Sequence, residues 1–146
     1  MTFIEYQASQ LERGLIDTTT AGALLGLKVD LCQVNVAINP ATLLADLVAG
    51  IATFTGYAQG VVTWDLPSLD LAGAVVVVGN LTVWRPTDGV TPNVIYDAFA
   101  RLSVGGALAF AGLLDGAPIP MASALNQLEL VFRYYPAAQS MGVVVV

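Results

Sequence analysis

From Leu27 onward, apolar residues recur at every second position in short runs, and the runs are broken by glycine, proline or asparagine. A period of two sends alternate side chains to opposite faces of an extended strand, so the pattern calls for paired sheets rather than helices. Residues 127–135 are the cleanest case: Leu128, Leu130, Phe132 and Tyr134 share the inward face, and Gln127, Glu129, Val131 and Arg133 the outward one. Residues 27–36 set Leu27, Val29 and Leu31 against Lys28, Asp30 and Cys32, and Asn39-Pro40 ends the run. Residues 60–66 and 81–85 alternate in the same way, the second placing Leu81 and Val83 opposite Thr82 and Trp84. Residues 74–78 form a continuous apolar run, expected to be covered on both faces. Residues 93–102 and 107–114 read as a hairpin, because Gly105 and Gly106 between them can take positive φ. Residues 143–146 supply a last edge strand.

One helical turn is expected over residues 42–49, with Pro40 near its start and Gly50 after its end. Seven or eight short strands with one short helix predict a mostly β fold, a single β-sandwich with a jelly roll as the candidate topology. The strand pattern begins only at Leu27. Residues 1–26 are therefore read as an N-terminal arm and 27–146 as the sandwich domain. The arm carries Phe3, Ile4, Tyr6, Leu11 and Leu15, more apolar groups than a disordered tail retains. They are expected to bury against a neighbouring subunit. Tyr134-Tyr135, beside Pro136, is a second candidate interface anchor, since tyrosine is enriched at contact hot spots.

Composition sharpens that expectation. Of 146 residues, 56% are apolar and only 11% charged, whereas about a quarter of an ordinary soluble domain is charged. Such a chain has little with which to cover a free surface, and a permanent interface resembles a domain core cut in half. The expected partner is the chain itself, as a homo-oligomer. The net charge is −6, with Lys28 the single lysine and no basic cluster. Contacts to a phosphate backbone need several clustered cations, so no nucleic-acid partner is expected. No run is long and apolar enough to span a membrane as a helix. The opening residues, with Glu5 and Glu12, lack the basic start and apolar centre of a signal peptide.

The available chemistry is sparse. There is no histidine, which removes the commonest general base and transition-metal ligand. The single cysteine, Cys32, rules out an intrachain disulfide or a cysteine-based zinc site and reads as a small core residue. Asp65 and Asp70 flank a proline turn, with too few oxygen ligands nearby for calcium. No catalytic, metal or cofactor-binding residue and no small-molecule substrate are expected, and the chain is read as non-enzymatic. Trp64 and Trp84 lie within strand patterns and read first as packing residues. With the loop over residues 86–92 they are also the candidate stacking surface of an alternative, a carbohydrate- or receptor-binding module.

One group of spaced residues carries a family likeness. Residues 42–47 (TLLADL), residues 54–58 (FTGYA), Trp64, then Ile95-Tyr96 and Ile119-Pro120-Met121 follow one another in an order that resembles small phage virion structural proteins. The likeness covers about residues 38–122 and is strongest over 42–64. Ala98 and Ala100 depart from it, standing where bulkier residues are typical, and the arm is unmatched. The resemblance implies a virion location and contacts with other virion proteins, most concretely a head decoration or auxiliary capsid protein. A major coat, filament or tail subunit is the alternative within the same class.

Overall fold

The computed structural model describes residues 26–39, 41–65, 68–87, 93–103, 105–135 and 140–146. The arm expected over residues 1–26 lies outside them except for Gly26. Among the described residues the chain forms eleven strands and one helix. These are β1 (Lys28–Cys32), α1 (Leu44–Ala49), β2 (Gly60–Val61), β3 (Ser68–Leu69), β4 (Val75–Val78), β5 (Thr82–Trp84), β6 (Val94–Ile95), β7 (Asp97–Arg101), β8 (Leu108–Leu113), β9 (Ile119–Pro120), β10 (Leu128–Tyr135) and β11 (Ser140–Val145).

All pairings between strands are antiparallel. The first sheet has the order β2-β1-β7-β8 and the second β11-β10-β4-β3, with β5 also paired to β10. β6 and β9 form a small separate ribbon. The chain visits the first sheet with β1 and β2, crosses to the second with β3–β5, returns with β7 and β8, and crosses again for β10 and β11.

One apolar core lies between the sheets, so the fold is mostly β and sandwich-like. The first sheet contributes Leu27, Val29, Leu31, Ala98, Ala100 and Phe110, and the second Trp84, Leu128, Leu130, Phe132, Tyr134 and Val143. Phe110 of β8 meets Phe132 of β10 edge-on, with ring centroids 5.6 Å apart, the geometry the ring quadrupoles favour. Close packing also brings β2 against β5. A Cβ on Gly60 would stand 2.7 Å from the Thr82 side chain and 3.0 Å from the Trp84 ring, so only glycine fits there.

A smaller cluster covers the opposite face of the first sheet. The chain leaves β1, forms α1 and returns to bridge Cys32 through Ile51. Leu47 of α1 thereby buries against Cys32, Phe99 and Ala111. β1 and β7 are consequently covered on both faces, which is why Asp97–Ala100 are all buried.

The strong alternations match the fold. β10 is buried at every second residue, with Leu128, Leu130, Phe132 and Tyr134 inward as expected. The β7–β8 hairpin forms as read, with Gly105 and Gly106 at φ 81° and 68°. Three expectations need correction. The continuous Ala-Val run is not covered on both faces: Val76 is 4% exposed but Val75 is 44% exposed, because β4 has only the short β3 beside it at that end. The runs read over residues 27–36 and 60–66 stop at Cys32 and Val61; after Cys32 the chain turns away to build the α1 cover. The short pairs β3 and β9 and the break between β6 and β7 raise the strand count above eight, since two-residue pairings leave no periodic trace.

Candidate functional site

The densest polar arrangement sits on the covered outer face of the first sheet. The β1–β7 register sets Lys28 opposite Arg101, Asp30 opposite Phe99 and Cys32 opposite Asp97. Asp30 is almost fully buried and accepts from three side chains: Tyr57 Oη at 2.5 Å, Gln59 Nε2 at 2.7 Å and Arg101 Nη2 at 2.6 Å. The Arg101–Asp30 pair is an ion pair whose carboxylate side is 3% exposed. The Arg101 guanidinium also lies over the Phe99 ring, 5.7 Å from its centroid. Burial, followed by the hydrogen bond to Asp30, pushes the Tyr57 phenol well above its ordinary value, so it remains a proton donor. With three donors on it, Asp30 acts as a clamp between β1, β7 and the connector that carries Tyr57 and Gln59. Beside it opens a cavity of about 190 Å³ lined by Lys28, Gln59, Arg101, Leu102, Ser103 and Gly106.

Farther along the same face, Asp97 is fully buried. Its Oδ2 accepts the Val36 N–H at 3.2 Å, while Oδ1 finds no partner among the described residues. Burial outweighs that hydrogen bond and raises the Asp97 carboxyl to about 6. The opposed Cys32 thiol is raised as well, chiefly by its own burial. Both side chains are buried on this face, Asp97 against the Val36 backbone and Cys32 against Leu47 of α1.

A third feature is apolar. The β3–β4 hairpin projects from the edge of the second sheet. Leu69 is 70% exposed and Leu71 fully exposed at 110%, with Val75 beside them. Asp70 holds the turn by accepting the N–H groups of Ala72 and Ala74, each at 2.9 Å. It is a turn-forming acid, and Asp65 contributes no second ligand to it. Among the described residues no group of three or more cysteines and carboxylates could hold a metal ion.

The structure redistributes the residues singled out from the sequence. Trp84 is 4% exposed, and its indole N–H donates to the Ala58 carbonyl at 2.8 Å. Trp64 is half-buried against the same core. The two do not form an open stacking surface, and most of the loop expected to join them, residues 88–92, lies outside the described residues. Tyr134 is 3% exposed within the shared core, so it anchors its own sandwich rather than a neighbour's; Tyr135 is half-buried. The arm candidates Phe3, Ile4, Tyr6, Leu11 and Leu15 lie outside the described residues. The exposed leucines of the hairpin had no sequence reading. Their only trace was the run SLDLAGA, whose alternation is too short to assign a face.

The residues that carried the phage likeness occupy fold-forming positions. Leu47 plugs the outer cluster, and Phe54 enters the main core and meets Tyr57 edge-on at 5.3 Å. Tyr57 Oη bonds Asp30 and accepts the Leu31 N–H, while Ile95 and Met121 are fully buried. Comparison of the chain with protein-family models, with curated proteins and with solved structures finds no match. Among the described residues no helix is long and apolar enough to cross a membrane.

Proposed function

We propose that this chain is a non-enzymatic structural subunit that assembles with copies of itself and with other virion proteins, in the manner of a phage head decoration or auxiliary capsid protein. The observation that carries the reading is the β3–β4 hairpin, which holds Leu69 and Leu71 out in water on a chain that is only 11% charged. Isolated exposed leucines are ordinary; adjacent ones on a projecting sheet edge mark a contact surface. The arm residues Phe3, Ile4, Tyr6, Leu11 and Leu15 would add a second contact by burying on a neighbour. Many modest contacts repeated by symmetry bind strongly, because each engaged site raises the effective concentration at the next. The densest polar group fits a structural role: Asp30 accepts from Tyr57, Gln59 and Arg101 and so ties β1 to β7 and to the connector that carries Tyr57 and Gln59.

The virion assignment rests on the resemblance of residues 42–64 and on this surface. Electron microscopy of the purified protein, together with peptide mapping of intact particles from the source phage, tests it. Regular oligomers, and the chain present in the particle at a fixed ratio to the major shell protein, are expected. Absence from intact particles would overturn the virion reading while leaving self-assembly standing.

A further inference from the structure

Two ionisable side chains of the first sheet tie down the cover that lies over its outer face. The ends of the cover are pinned by backbone bonds, Gln33 N–H to the Gly50 carbonyl at 2.7 Å and Ala52 N–H to the Leu31 carbonyl at 2.9 Å. Between those ends, Asp97 Oδ2 accepts the Val36 N–H at 3.2 Å. The Cys32 thiol has the Val34 carbonyl at 3.3 Å and the Leu47 carbonyl at 3.8 Å as acceptors. Cys32 and Asp97 face each other in the β1–β7 register. Apolar packing adds to these ties, with Val36, Ile38 and Leu47 of the cover against Cys32, Phe99 and Ala111.

An ionised Asp97 has no cation to balance it among the described residues. It is fully buried, and its Oδ1 has no hydrogen-bond partner there. From β1 it faces the Cys32 thiol, β8 carries no ionisable side chain, and Asp46 of α1 is exposed. On its own strand Arg101 is engaged with Asp30. A buried charge without a partner is costly, and admitting water relieves it. Protonation removes the same cost, in keeping with a carboxyl raised to about 6 by burial. The main core lies on the other face of the sheet, so the cover can lift between its pinned ends without disturbing that core. We infer that the cover is a pH-released strap, closed over the sheet while Asp97 is protonated and opening more readily, with the sandwich intact, once that carboxyl ionises. What it uncovers is Cys32 and the apolar surface of Phe99 and Ala111. This inference stands apart from the assembly reading.

Cys32 is the single cysteine and is buried, so its reaction with a dipyridyl disulfide on the full-length protein reports opening of the cover. Dividing the native rate by the rate in concentrated urea at the same pH removes the thiol's own ionisation. That ratio is expected to rise roughly fiftyfold between pH 4 and pH 8 in the parent, as follows from a carboxyl at 3.8 when open and about 6 when closed. In Asp97→Asn it is expected to change less than about threefold. The ratio is also expected to vary little in dilute urea, because lifting a strap exposes little surface, whereas global unfolding has a steep urea slope. Should the variant not fold, hydrogen exchange of the parent gives the answer. Protection of the α1 amides, corrected for intrinsic exchange, is then expected to fall over the same pH range with little dependence on urea. Reactivity or exchange that stays flat with pH, that still rises in the folded variant, or that follows global unfolding in urea would overturn the inference.

Discussion

Asp97 shows how one residue ties this fold to pH. Its carboxyl rises from an ordinary value of 3.8 to about 6 because its burial outweighs the hydrogen bond from the Val36 N–H. The folded state therefore binds the proton more tightly than the unfolded chain does. The stability it confers is fully present below the unfolded value and is lost as pH rises from about 4 through about 6. The loss is up to roughly 3 kcal/mol, at 1.36 kcal/mol per unit. Asp97→Asn is expected to flatten that slope and to raise the urea midpoint at pH 7.5 relative to the parent; denaturant melts between pH 4 and pH 8 check it. A parent whose stability rises across the same window would contradict the assignment. Cys32, fully buried and raised by desolvation, is expected to resist thiol reagents in the native protein and to react promptly in urea. The burial of Cys32 was legible, since a lone cysteine in an apolar strand reads as a core residue; the Asp97 effect was not. Asp97 stands in an ordinary strand pattern, and only the loop that returns over the outer face buries it.

At the scale of elements, legibility followed the length of the alternation. β10 runs for eight residues with one face buried throughout, so both its type and its register could be read. Phe132→Ala, removing a fully buried ring that meets Phe110, is expected to cost roughly 3–5 kcal/mol. Arg133→Ala, on the opposite face, is expected to cost about 1 kcal/mol or less. Chemical denaturation of the two variants measures both, and equal costs would mean that the strand is in the wrong register. The β7–β8 hairpin was readable because its glycines admit positive φ. β3 and β9 were not readable, since pairings of two residues are set by what lies beside them rather than by period. The Asp30 clamp was half legible. The alternation set Asp30 on the face opposite Val29 and Leu31, but its donors come from afar: Arg101 through the β1–β7 register, and Tyr57 and Gln59 from the connector after α1. For the arm, deletion of residues 1–20 is expected to leave a β-rich circular dichroism spectrum and to weaken association. A deletion that unfolds the domain would instead place the arm in its own core.

For the whole molecule, two sheets close on one core, a second cover lies over β1 and β7, and the surface left over has few charges. Fold class was readable from composition and period together. Which part of the surface stays exposed was not, because exposure depends on where the sheets end. The central claim is that this sandwich is a subunit that associates through the Leu69–Leu71 hairpin. Burying a leucine contributes roughly 1.5–3 kcal/mol, so replacing both is expected to weaken association at least about a hundredfold. Sedimentation velocity across a dilution series, on the parent and on Leu69→Ser/Leu71→Ser, tests this most directly. The parent is expected to sediment as an oligomer and the double variant as a folded 15.2 kDa monomer at the same concentrations. A parent that remains a stable 15.2 kDa monomer throughout the series would contradict the account.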